Sequence, residues 1–230
     1  MSRIVVFGAG GRLGRLVVAE ARGRGHEVTA VVRDPAAHAD LASGSGAADA
    51  SAATGATDVR VVVADATDAT AIAAAAAGHD AAISTIPPPL IDPPLQYLAD
   101  AHAALLAGLE AADVGRLLAV GMAGTLETEP GVRLLDTPDY KAEWLPFSRS
   151  HEAGLDALLG AETPVDWLAV SPPLLLDAEA ARTGEHRVRE SVALPTPDGG
   201  RVSYADLAAA LVDEVERPAH HRTRVVVTAP

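Results

Sequence analysis

The most constraining feature of this chain is its glycine cluster, Gly8-Ala9-Gly10-Gly11-Arg12-Leu13-Gly14. It stands directly after a β-branched run, residues 3–7, and directly before residues 12–24, where Leu13, Leu16, Val17 and Ala21 recur at helical spacing until Gly25. Strand, tight turn and helix in that order leave few architectures open. The first glycine permits the sharp turn, the middle ones let backbone N–H groups approach a bound group, and Gly14 lets the helix pack closely. Gly8, Gly11 and Gly14 satisfy G-x-x-G-x-x-G; the older G-x-G-x-x-G pattern fails because position 13 is leucine. Amides at such a helix start suit the diphosphate of a dinucleotide. The candidate cofactor contacts are Gly8, Gly10, Gly11, Arg12, Leu13 and Gly14.

The remaining apolar runs extend this unit into a sheet. Strands are predicted over residues 27–33, 59–64, 80–86 and 116–122, each nearly continuous in apolar residues, as strands buried on both faces are. Helices are predicted over 69–77 and 95–112, then over 150–159 ahead of a strand at 166–170. This alternation predicts an α/β, Rossmann-like, doubly wound and mostly parallel sheet with helices on both faces. One domain over 1–230 is expected, with 171–222 contributing a small C-terminal substrate-binding portion. Residues 36–58 are Ala, Gly, Ser and Thr with hardly a large apolar side chain after Leu41, and about half of them are expected to form a mobile insertion. Ser203 and Asp206 read as a helix cap before a last strand at 224–227.

Composition removes several classes of function. Eighteen Lys+Arg against 31 Asp+Glu give a net charge of −13, which argues against nucleic acid as a partner. No apolar run suits a membrane span or a signal peptide, and no cysteine is present, so a cytoplasmic protein in a reducing interior is expected. His151-Glu152 lacks the second histidine of H-E-x-x-H, so no metal site is expected, and neither G-x-S-x-G nor a P-loop lysine occurs.

At the end of the second strand stands Arg33, followed by Asp34. An arginine there forms a forked pair with a 2′-phosphate, and Arg12 could approach the same group, so NADP(H) is favoured and NAD(H) remains open. Asp65, after the third strand, is a candidate for the adenine amino group, or else caps the next turn. Ser84 and Thr85, after the fourth, are candidates to flank the nicotinamide ribose.

Beyond the glycine turn and VVRDP (31–35), the segments RLLAVGMAGTLE (116–127), GVRLLDTPDY (131–140), DWLAVSPP (166–173) and SYADLAAALVDEVERPAH (203–220) resemble the atypical short-chain dehydrogenase/reductase superfamily, in its NmrA-like NAD(P)H-binding branch with flavin- and biliverdin-type reductases. The resemblance implies a cofactor lying across the sheet and a substrate pocket built from the loops after strands four, five and six. The wider superfamily's Tyr-x-x-x-Lys pair has no counterpart here: Lys141 is the only lysine, and Ala101, Trp144 and Ala208 stand four residues after the three tyrosines.

Hydride transfer to a small hydrophobic carbonyl, quinone, flavin or conjugated alkene is therefore the expected activity, with the protein supplying placement and a proton. Candidate catalytic residues are His151, Thr125 and Tyr140. Candidate substrate contacts are Pro87, Met122, Trp144 and Pro173, offering stiff loops and broad apolar surface. Arg182, His186, Arg187 and Arg189 read as a local basic patch. Two other classes stay open: a redox-sensing NADP(H)-binding regulator without turnover, and a non-redox isomerase, cyclase or lyase. The expected partner is a small molecule, and the expected assembly a monomer or homodimer.

Overall fold

The structure, a computed structural model, describes residues 1–43, 58–196 and 199–230. Its centre is an eight-stranded sheet in the order β3-β2-β1-β4-β5-β8-β12-β10. The strands are β1 (Arg3–Phe7), β2 (Glu27–Val32), β3 (Val59–Val63), β4 (Ala81–Ser84), β5 (Arg116–Val120), β8 (Asp166–Ser171), β10 (Arg187–Glu190) and β12 (Thr223–Thr228). Seven pair in parallel, and β10 closes one edge antiparallel to β12. The chain winds outward from β1 through β2 to β3, then returns to place β4 on the other side of β1. The order thus reverses between β1 and β4, and ligands bind in the crevice that such a reversal opens at the carboxyl ends of the strands.

Consecutive residues of each central strand enter opposite layers, which is why the strands read as unbroken apolar runs. Ile4, Val6, Ile83, Leu118 and Leu168 face α1 (Arg12–Gly23) and α6 (Tyr204–Glu216). Val5, Phe7, Ala82, Leu117 and Trp167 face α3 (Ala69–Ala76), α4 (Tyr97–Ala111) and α5 (Leu145–Leu159). Each strand residue is thus removed from water by a helix on its own side, stabilising the sheet by about 1.5–3 kcal/mol for each large side chain buried.

Several boundaries move from their sequence positions. Helix α5 begins at Leu145, not 150, because Pro146 occupies its first turn, where a missing N–H costs nothing. Strands β4 and β5 stop at Ser84 and Val120, two residues short of their apolar runs. Residues 36–43 form a 3-10 turn and the short α2 (Asp40–Ser43), with Leu41 buried; the rest of the expected insertion, 44–57, lies outside the described residues. Two small sheets went unread in the sequence: β6 (Glu127–Glu129) with β7 (Val132–Arg133), and β9 (Leu175–Asp177) with β11 (Arg201–Ser203).

The expected basic patch is divided among acidic partners. Arg182 Nη2 donates to Glu20 of α1 at 2.8 Å and His186 pairs with Asp213 of α6 at 3.2 Å, while Arg187 and Arg189 lie on the edge strand β10. Asp206 has more work than a cap. Ser203 Oγ donates to it at 2.7 Å and accepts from its amide at 2.9 Å, while the amides of Thr183 and Gly184 donate to the same carboxylate at 3.1 and 2.9 Å. This carboxylate therefore ties the segment between β9 and β10 to the start of α6.

Burial works to raise the Asp206 pKa, and the donated hydrogen bonds from Ser203, Thr183 and Gly184 outweigh it, leaving the carboxyl below its usual 3.8. Asp206→Ala is expected to cost about 2 kcal/mol near pH 7 in urea denaturation. The unfolded chain takes up this proton more readily than the folded one, so the stabilisation is full above about pH 5 and fades as pH falls through the carboxylate range. The parent–variant gap must narrow on acidification; a gap constant down to about pH 2 would contradict the assignment.

Candidate functional site

The glycine turn is braced from beneath. Gly8 takes φ +78°, and Thr85 Oγ1, directly after β4, lies 3.2 Å from the carbonyls of both Phe7 and Gly8 and donates to them. The Gly11 amide donates back to Gly8 O at 3.0 Å, and α1 starts there with no side-chain cap. The first amides of α1 are thus left to an external acceptor. Gly14 is obligatory: a Cβ there would overlap Gly8 O and stand 2.8 Å from Ala9 Cα. Leu13 is buried and anchors the first turn of α1 in the core. Gly10 is filled from the side, since a Cβ there would lie 2.7 Å from His38 Cδ2.

The other candidate cofactor residues divide by location. Arg33 and Asp34 are both exposed after the end of β2, and the Asp34 carboxylate accepts from the Ala36 amide at 3.0 Å, capping its own surface turn. Asp65 accepts from the amide and hydroxyl of Thr67 at 2.9 and 2.8 Å; these bonds, with the nearby charge of Arg33, hold its carboxyl below the usual range. Asp65 therefore caps its own turn. Ser84 is buried in the sheet between Phe7 and Ala119. Arg12 stacks on Tyr204 of α6, 5.5 Å from the ring centre. The basic side chain beside the β2 loop is instead Arg15, which the sequence reading passed over although it stands four residues after Gly11. Its Nε donates to Gly10 O at 3.1 Å, its Nη2 to His38 Nδ1 at 3.0 Å, and its Nη1 pairs with Asp40.

A second group gathers after β5. Ser148 Oγ donates to Trp144 O at 2.9 Å, which commits its proton, so Tyr140 Oη is the donor in the 2.6 Å bond to Ser148. Tyr140 Oη would stand 3.0 Å from a Cβ on Gly124, and Met122 Sδ 3.5 Å from the same point, so glycine makes the room in which phenol and thioether meet. Thr125 is buried, and its hydroxyl donates to Met122 O at 2.9 Å. His151 is buried against Phe147, ring centres 5.0 Å apart, and Phe147 meets Trp144 edge-on at 6.3 Å. Behind them His102, Gly121, Thr125, His151 and Ser171 line a cavity of about 10 Å³, room for one water.

Trp144 is 46% exposed, as are Leu90 (80%) and Ile91 (89%) in the loop after Pro87, leaving apolar surface at the carboxyl edge of the sheet. Pro173 is buried, and its Cβ would meet a Cβ on Gly200 at 3.5 Å, so it packs between loops. Ser148 and His102 were invisible in sequence because each acts through a partner on another turn or helix: His102 of α4 donates from Nδ1 to Gly154 O of α5 at 2.8 Å.

A glycine-rich, uncapped helix start at the β1–β4 reversal, with apolar side chains gathered after β5, defines a class of protein. The family model described as NAD(P)H-binding matches residues 8–218, and the chain belongs to that family, in its NmrA-like branch. Among individual proteins, it is 30% identical to the uncharacterized protein YwnB of Bacillus subtilis (strain 168), over 99% of this chain and 98% of that one. It superposes on a proposed exported protein of Burkholderia pseudomallei with a TM-score of 0.80, at 31% identity, covering 99% of this chain and all (100%) of that one. It superposes equally well, TM-score 0.80, on a proposed NADH-flavin reductase of Streptococcus pneumoniae TIGR4, at 27% identity and full coverage (100%) of both chains. No described helix is long and apolar enough to cross a membrane.

Burial, with the neighbouring His102, pushes the His151 pKa from 6.5 down to about 3, so the ring is neutral at pH 7 and holds no imidazolium proton to give. Between those values the unfolded chain binds the proton more tightly, so stability falls as pH drops through 6.5 toward 3. His102, also buried, moves in the same direction. His151→Gln is expected to lose less stability than the parent between about pH 6.5 and 4, read by urea denaturation across the range. The His151 ring resonances of the parent should stay those of a neutral imidazole at about pH 5; titration near 6 would contradict this environment.

Proposed function

We propose that the protein is an NADPH-dependent reductase of small hydrophobic carbonyls, quinones or flavins. The observation that carries this reading is the juxtaposition of an uncapped, glycine-walled helix start at the β1–β4 reversal with a phenol, a thioether and exposed aromatic surface after β5. The residues fit a nicotinamide dinucleotide: Gly8, Gly11 and Gly14 keep the turn free of Cβ atoms, and the amides of Arg12 and Leu13 would hold the diphosphate. When bound, a reduced nicotinamide supplies a hydride. Arg33 is proposed for the 2′-phosphate, supported by its exposure and by the engagement of the Asp34 carboxylate with the Ala36 amide.

Of the three candidate proton sources, Tyr140 suits the task best. Thr125 and His151 are both buried, and His151 is neutral as well, whereas Tyr140 is only half-buried. As hydride adds to the carbonyl carbon and the C=O π pair moves onto oxygen, Tyr140 Oη–H would turn from Ser148 to give that oxygen its proton, with Ser148 holding the phenol in place until then. Met122, Phe147 and Trp144 would exclude water and hold a flat acceptor by apolar contact. The Streptococcus pneumoniae neighbour supports a flavin or comparable ring system among the acceptors.

The test is NADPH consumption against a panel of a quinone, FMN and an aromatic aldehyde. Tyr140→Phe is expected to lower kcat for the carbonyl acceptors by about a hundredfold while leaving the Kd of NADPH unchanged. Arg33→Ala should raise the KM for NADPH by about tenfold and that for NADH little. Tight NADPH binding without consumption by any acceptor would replace this reading with the redox-sensing regulator. Product formed without cofactor oxidation would replace it with a non-redox enzyme.

A further inference from the structure

Arg15 holds three groups from three places in the chain. Its Nε reaches the Gly10 carbonyl in the glycine turn at 3.1 Å, its Nη2 reaches His38 Nδ1 in the 3-10 turn after β2 at 3.0 Å, and its Nη1 and Nη2 fork onto the Asp40 carboxylate of α2. Gly10 O and Gly11 N–H belong to one peptide plane, and both ends of it are fixed: the N–H donates to Gly8 O at 3.0 Å and the C=O accepts from Arg15. That plane sets the direction of the α1 N-cap at Gly11, and with it the aim of the first free amides. Because a guanidinium only donates, His38 Nδ1 accepts, the ring proton lies on Nε2, and the ring edge rests on Gly10 where a side chain would otherwise stand.

We propose that Arg15, clamped by Asp40 and His38, is a positioning residue for the diphosphate of the dinucleotide, fixing the Gly10–Gly11 peptide so that the amides of α1 converge on it. Because its donors are taken up by Gly10 O, His38 and Asp40, Arg15 would act through the turn and govern affinity for NADPH and NADH alike, leaving discrimination between them to Arg33. A guanidinium serves here because its Nε, Nη1 and Nη2 reach three separate acceptors at once, which a lysine ammonium on a flexible stem cannot satisfy together. This inference rests on the dinucleotide reading of the crevice given above.

Titration calorimetry with NADPH and with NADH separates the possibilities. Arg15→Met is expected to weaken both by about tenfold and leave their ratio within about twofold, whereas Arg33→Ala shifts the ratio. Arg15→Lys should bind both with intermediate affinity, and Asp40→Asn should weaken both by about threefold, so the series survives if the methionine variant fails to fold. Unchanged affinities in the Arg15 and Asp40 variants would overturn the positioning role. A loss confined to NADPH would overturn it in favour of direct contact with the 2′-phosphate. A parent that binds neither nucleotide fails differently, since it removes the dinucleotide reading itself.

Discussion

The approach of α1 to the end of β1 governs the rest of this structure. The helix starts within van der Waals range of the Gly8 carbonyl only because Gly14 carries no side chain, and Gly8 turns there only because its φ is positive. Thr85 locks the same turn from the β4 side. The β1–α1 turn and the end of β4, far apart in sequence, thus meet at the one place where the strand order reverses. An uncapped helix start would be a defect in an ordinary turn; beside an open crevice it is the means of holding an anion.

The two halves of the site are built by different physics. At the glycine turn the backbone presents the free polar groups, and side chains such as Thr85, Arg15 and His38 brace that backbone. On the side after β5 the side chains themselves form the surface, with Tyr140, Met122, Phe147 and Trp144 gathered where Gly124 leaves room. Burial there keeps His102 and His151 neutral, which leaves that side without a buried cation at neutral pH.

Legibility in the sequence followed the range of the interactions. The glycine turn and the Ser203 cap of α6, which accepts from Asp206 N at 2.9 Å, depend on neighbours in sequence, and the central parallel strands show as unbroken apolar runs, so these could be read there. Strand β10 and the β9–β11 pair depend on partners tens of residues away, and their polar or loop-like composition gave no periodic signal. The same holds within the site. Gly8, Gly11 and Gly14 announced themselves by spacing, whereas Arg12 and Arg15 look equivalent in sequence, and the fold turns the first onto Tyr204 and the second onto Gly10.

Sequence alone determined the class of architecture, since apolar runs buried on both faces and a glycine-rich strand–helix junction admit few alternatives to a doubly wound sheet. It also determined where a backbone anion site must lie, because freedom from Cβ atoms is a property of residue type. Tertiary structure decided which side chains attend that site and in what state. The proton of Ser148, the tautomer of His38 and the neutrality of His151 are each set by groups brought near through folding. Hydrogen-bond direction and desolvation are properties of a surrounding, and a linear chain has none until it packs.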